Sequence, residues 1–151
     1  MGSPGTVDEF AAVIDRKETE HIDLMALVKK PDTSIAIIGA TDNPSKFGNI
    51  IYHDLKRKGF RLFPVNHHRT LVAGDRAYTC VQDLPVKPSL ITFVVPPSQT
   101  LTVLDVCLVL GYMNVWIQPG AASQAVRTFL MEHAFNYVID DCIMVHTAAV
   151  R

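Results

Sequence analysis

The most constraining stretch of this chain is residues 34–48, Ser34-Ile35-Ala36-Ile37-Ile38-Gly39-Ala40-Thr41-Asp42-Asn43-Pro44-Ser45-Lys46-Phe47-Gly48. Its opening run of apolar, mostly β-branched residues bounded by polar ones is the pattern of a buried strand. Gly39 ends the run, a loop of Thr, Asp, Asn, Pro and Ser follows, and residues 49–58 read as a helix. Strand, glycine, short polar loop and helix together turn backbone N–H groups and a helix N-terminus toward an anion, usually a phosphate. Lys46 adds a cation to that loop. The plainer alternative is an ordinary connection in which Gly39 only permits a tight turn. On the anion reading, a side chain at Gly39 should block the ligand more than it unfolds the domain.

Comparable apolar runs recur at 61–65, 89–95, 114–117 and 137–139. Helical patterns separate them. The first, 49–58, stops at Gly59; the second runs to Leu110 from Ser98 as N-cap and stops at Gly111; the third runs from the cap Ser123 to about His133. Residues 66–69 form a loop, Gly74-Asp75 marks a turn, and 81–84 is at most one helical turn. Strands that are apolar throughout and alternate with helices specify a parallel sheet covered on both faces. With right-handed crossovers, the expected fold is α/β, a doubly wound, Rossmann-like parallel sheet of about five strands in a single domain. Residues 22–151 would form that domain. Residues 1–21 would be an N-terminal helical arm, its Gly/Ser/Pro start reading as disordered. Ile14, Leu24, Leu27 and Val28 are the positions with which the segment 7–30 would dock.

Charge and cysteine usage narrow the function. A formal net charge of −1 over 151 residues gives no basic field for nucleic acid. Cys80, Cys107 and Cys142 are far apart and odd in number, which suits a reducing compartment better than a disulfide framework. Residues 1–9 lack a secretory start, and the most apolar window, 101–117, falls short of the ~20 residues of a membrane span. The expected location is cytoplasmic, with no membrane partner. No metal is expected, because His133 and His146 lack ligand spacing. Asp140 and Asp141, adjacent in an extended segment, point to opposite faces and make no obvious acid–base pair. Trp116 reads as core, and Cys142 as a small buried hydrophobe.

In a doubly wound sheet the loops beyond the strand C-termini share one edge, and ligands bind there. Those loops are 39–48, 66–69, 96–98, 118–123 and 140–142, which hold most of the unusual polar, Gly and Pro residues. A dinucleotide fingerprint would need GxGxxG and an acidic residue after the second strand. Here no second glycine follows Gly39 until Gly48, and the second strand ends in Asn66-His67-His68-Arg69. A basic cluster at that place suits an extra ribose phosphate, as in NADP or coenzyme A. The alternative is a solvated basic turn.

The succession Gly39-Ala40-Thr41-Asp42-Asn43-Pro44, Pro64-Val65-Asn66, Val94-Val95-Pro96-Pro97, Trp116-Ile117-Gln118-Pro119-Gly120-Ala121 and Asp141-Cys142-Ile143-Met144-Val145 resembles the CoA-binding domain family. These are small Rossmann-like proteins similar to the N-terminal domain of the succinyl-CoA synthetase alpha subunit. The resemblance implies binding of coenzyme A or an acyl-CoA. Ala40, Thr41 and Asn43 with Lys46 would cradle the pyrophosphate, in the loop that begins at Gly39 and contains Pro44. Val65 and Asn66 would border the adenosine, and Val95 and Pro96 the adenine or pantetheine. Gln118 and Pro119 would border the pocket, and Arg69 belongs to the basic cluster. Phe47 and Gly48 depart from what many members carry after the basic residue. No catalytic residue is implied, and a chain of this length has no room for the further domains of an acyl-CoA synthetase. The expectation is a binding module without catalysis of its own. An NADP-dependent oxidoreductase and a regulatory subunit of an acyl-CoA-utilising enzyme are the alternatives, and whether copies assemble stays open.

Overall fold

A computed structural model describes residues 21–150. Five strands form the main sheet: β1 (Ser34–Ile38), β2 (Arg61–Val65), β5 (Leu90–Phe93), β6 (Asn114–Ile117) and β7 (Asn136–Ile139). All neighbours are parallel, in the order β2-β1-β5-β6-β7. Counting only these strands in chain order gives 2-1-3-4-5, so the winding reverses between β1 and β5. That reversal is the topological switch point, where adjacent crossovers leave to opposite faces and open a crevice. The fold is the expected Rossmann-like α/β domain.

The central strand β1 is buried at every position. Its side chains alternate between two cores. Ile35 and Ile37 pack with Ile51, Tyr52 and Leu55 of α2 (Phe47–Arg57). Ala36 and Ile38 pack instead with Leu104 and Cys107 of α3 (Pro97–Leu110) and with Val126 and Leu130 of α4 (Gln124–Glu132). Each large aliphatic side chain buried in this way stabilises the fold by ~1.5–3 kcal/mol. Trp116 is fully buried on the α2 side, and its indole N–H donates to the carbonyl of Asp141 at 2.8 Å.

Several boundaries differ from the sequence reading for identifiable reasons. Helix α2 starts at Phe47, two residues early, from Lys46, which provides no side-chain cap. The cap of α3 is Pro96 with Pro97 at the first helical position, where a missing N–H costs nothing, so Ser98 is already inside. Strand β5 ends at Phe93, which leaves Val94 and Val95 in a loop. A hairpin absent from the sequence reading, β3 (Leu71–Val72) with β4 (Asp75–Arg76), follows β2. The short helix α1 (Leu24–Leu27) is capped by Asp23, and Leu24 and Val28 enter the α2-side core. The rest of the expected arm, including Ile14, lies outside the described residues.

Candidate nucleotide-binding site

The loop from β1 to α2 is shaped by two glycines in contact. Gly39 has φ +98° and its N–H donates to Val65 at 3.0 Å. A Cβ at Gly39 would lie 2.7 Å from the Val94 carbonyl oxygen. A Cβ at Gly48 would collide with the carbonyl oxygen of Gly39. These close approaches draw the first turn of α2 against the end of β1. The N–H groups of Phe47 and Gly48, in that first turn, have no helical acceptor and carry the positive end of the helix dipole. The geometry at Gly39 runs against the expectation stated for it, because both the positive φ and the Val94 contact make a side chain there incompatible with the fold itself.

Inside the loop, polar side chains serve the backbone. Thr41, buried, accepts from Asn43 N–H at 3.2 Å. The Asn43 carboxamide oxygen accepts from Ser45 N–H at 3.0 Å and Ser45 Oγ at 2.7 Å. Asn49 Nδ2 donates to the Thr41 carbonyl at 3.1 Å. Asn66, at the end of β2, ties the next loop to this one. Its Nδ2 donates to the Ala40 carbonyl at 2.9 Å, and its Oδ1 accepts from His68 N–H at 2.8 Å. The loop is therefore preorganised, with Lys46 exposed at its helix end.

A cleft of about 850 Å³ opens over this loop at the β1/β5 switch point. Of the residues singled out from the sequence, it brings together Gly39, Thr41, Asn43, Lys46, Val65, Asn66, Arg69, Val95 and Pro96. His67 and His68 join them, their rings 3.9 Å apart between centroids. One wall went unread in the sequence. Thr79, Cys80, Val81 and Gln82 reach the cleft because Tyr78 bridges to Val65 and its carbonyl accepts from Asn66 N–H at 2.9 Å. Val103 and Val106 of α3 complete an apolar side. Among the described residues that line the cleft, none is Asp or Glu.

The remaining singled-out residues sit elsewhere. Ala40 is fully buried beneath the loop, Pro44 is exposed on its outside, and Phe47 is 69% exposed at the helix start. Gly48 is the contact that closes the loop. Gln118 is buried, and it brackets the chain beyond β7: its Oε1 accepts from Ile143 N–H at 2.9 Å and its Nε2 donates to Cys142 Sγ at 3.4 Å. Pro119 is exposed next to it. Asp140 pairs with Arg127, and Asp141 with His146, each at 3.0 Å.

The hairpin beside the cleft is pinned to α2 by a buried phenol. Tyr52 OH donates to Asp75 Oδ2 at 2.6 Å, and Lys56 Nζ lies 3.2 Å from the same oxygen. Burial, with the hydrogen bond to Asp75, raises the Tyr52 phenol far above its ordinary value. For Asp75, burial works upward, but hydrogen bonds from Tyr52 and Lys56, with the Lys56 charge, bring the carboxyl below its usual value. On the other face, burial pushes the Cys107 thiol up to about 12.

A doubly wound parallel sheet with a glycine-closed loop and a cleft at its switch point defines a Rossmann-like nucleotide-binding class of domain. Residues 33–148 match the CoA binding domain family, and the chain belongs to that family. It is 34% identical over 110 residues to the alpha subunit of the ADP-forming acetate–CoA ligase II of Pyrococcus furiosus, a match covering 68% of this chain and 24% of that subunit. The chain thus spans about a quarter of that relative's length. Among solved structures, it resembles a conserved hypothetical protein from Pyrococcus furiosus at 42% identity and a TM-score of 0.74, covering 76% of this chain and 99% of that one. A Thermus thermophilus protein described as cell-free ID.343 matches at 28% identity and a TM-score of 0.72, covering 82% and 92%. Among the described residues, no helix is long and apolar enough to cross a membrane.

Proposed function

We propose that this chain is a binding module for coenzyme A or an acyl-CoA, and that the ligand lies in the cleft at the β1/β5 switch point. The observation that carries this reading is the cleft's charge. In a chain of net charge −1, the described residues that line it include Lys46, His67, His68 and Arg69 and no carboxylate. Coenzyme A is a polyanion with phosphate at two places, the pyrophosphate and the 3′-phosphate of its ribose. The pyrophosphate takes the 39–48 loop, where Thr41, Asn43 and the Lys46 ammonium line the cleft and the start of α2 adds the positive end of its dipole. The adenosine lies beside Val65 and Asn66, which turns its 3′-phosphate toward His67, His68 and Arg69. Val95, Pro96, Val103 and Val106 supply the apolar wall. Family membership supports the choice of CoA over other phosphate ligands. A cytoplasmic setting fits the three free thiols.

A second reading, a regulatory subunit working with an acyl-CoA-utilising enzyme, takes support from the likeness to an acetate–CoA ligase subunit. It uses the same cleft. Calorimetry against CoA, acetyl-CoA, NADP and NAD in parallel tests the ligand. Binding of CoA or acetyl-CoA without a response to either nicotinamide cofactor is expected. Binding of NADP without CoA would overturn the reading in favour of an oxidoreductase.

A further inference from the structure

Asp42 is an oddity in a loop that faces anions. It belongs to the 39–48 segment, yet it is absent from the cleft lining, and its carboxylate is turned toward the hairpin. Oδ1 accepts from Ala73 N–H at 2.7 Å, and Oδ2 lies 3.9 Å from Arg69 Nη1. Ala73 and Gly74 form the two-residue turn of the hairpin with φ +51° and +81°, a conformation alanine adopts only when its surroundings hold it. Here both of its peptide groups are held, because the Ala73 carbonyl accepts from Lys56 Nζ at 2.8 Å. The Arg69 backbone is tied to its own turn, its N–H donating to the Asn66 carbonyl at 3.4 Å. Asp42 thus bonds to the hairpin turn through one carboxylate oxygen and faces the guanidinium at the cleft with the other.

We propose that Asp42 is a positioning residue that fixes the distance between two phosphate stations, the 39–48 loop and the 67–69 turn. It thereby makes the cleft selective for a ligand carrying both a pyrophosphate and a ribose phosphate monoester. This role rests on the CoA reading given above. A carboxylate in an anion-binding loop works against any phosphate ligand, so its place there needs a compensating use. The double contact to Ala73 and Arg69 supplies one. A nucleotide lacking the monoester engages only the first station and gains nothing from the latch.

The test is calorimetry of Asp42→Ala and Asp42→Asn against CoA and dephospho-CoA, which lacks the 3′-phosphate, with amide hydrogen exchange at Ala73. Asp42→Ala should leave dephospho-CoA affinity within about twofold and reduce the preference for CoA about fivefold, the low end of measured coupling between sites. Asp42→Asn keeps an oxygen acceptor for Ala73 N–H, so it should retain most of the preference and the exchange protection that Asp42→Ala loses. In an Arg69→Ala background, Asp42→Ala should add little, since the two act as one unit. Equal weakening of both ligands by Asp42→Ala, or effects that add to those of Arg69→Ala, would overturn the role. A wild type that prefers CoA with a preference untouched by Asp42→Ala overturns this role alone. A wild type that binds neither ligand overturns the CoA reading and the role with it.

Discussion

The contact between Gly48 and Gly39 gives a sharp way to perturb the loop. Gly48 lies in the first turn of α2 and has no positive φ, so Gly48→Ala introduces no backbone strain, only a methyl group against the Gly39 carbonyl oxygen. A carbonyl of β1's end is not the tip of a flexible side chain and cannot swing aside. The helix start must move instead. Overpacking of this kind costs ~1–3 kcal/mol. For a chain of this size each kcal/mol lowers the melting temperature by roughly 2–4 °C, so a fall of about 2–12 °C is expected. The same movement takes Lys46, the N-cap of α2, and the positive end of the helix dipole off the position they offer an anion. Charge-assisted hydrogen bonds are each worth ~1.5–3 kcal/mol, so losing one should weaken CoA about tenfold or more. Calorimetry with CoA and a thermal melt on the same sample measure both numbers. A Gly48→Ala protein that melts lower but binds CoA as wild type does would refute the idea that this helix start holds the pyrophosphate.

The other predictions use the same purified protein. Lys46→Ala should weaken CoA about tenfold or more without lowering the melt, because Lys46 is exposed and makes no capping bond; unchanged affinity would remove it from the site. Wild type should prefer CoA over dephospho-CoA, and the preference should fall with added salt, since exposed charges are screened over ~8 Å at physiological ionic strength. Equal affinities for the two ligands at low salt would mark the 66–69 turn as merely solvated. Stability should fall at both ends of the pH range. Asp75 titrates lower in the fold than when unfolded, so its contribution is present above the ordinary carboxylate range and is lost as pH falls below it. Tyr52 and Cys107 titrate higher when folded, so theirs is present at neutral pH and is lost as pH rises above about 9, with Cys107→Ala and Tyr52→Phe flattening the alkaline limb of a melt series.

Legibility differed with the physics behind each element. The strands of the main sheet were readable because a parallel strand covered on both faces is a continuous apolar run, as in Ile35 to Ile38. Gly39 and Gly111 announced their turns through the positive φ that only glycine takes freely. The start of α2 was hidden because its cap, Lys46, makes no side-chain bond, leaving no Ser, Thr or Asp signal at that position. The β3–β4 hairpin was hidden because strands of two residues have no period to detect, and its first turn residue is Ala73 where the usual signal is Asn or Asp. The wall at 79–82 could not be inferred from spacing, since it depends on Tyr78 pairing beside Val65. Gln118 showed the limit of a loop-based reading: a polar residue on the binding edge turned out to bracket the backbone at Ile143. Asp42 and Asn66 were visible as polar loop residues, but their ties to Ala73 and Ala40 are contacts across 31 and 26 positions of sequence.

The paired glycines also bear on how variation in such a chain should be interpreted. In a library of substitutions screened for folding alone, with no CoA present, positions 39 and 48 would already be depleted of every other residue, because the Val94 and Gly39 carbonyls exclude a Cβ. Ser45 and Phe47, exposed in the same segment, would tolerate exchange in that screen. Invariance of the two glycines would therefore carry no information about the ligand. Only a residue that varies freely under selection for folding, and stops varying once binding is also required, reports on the site; among the loop residues, Lys46 is placed to behave that way.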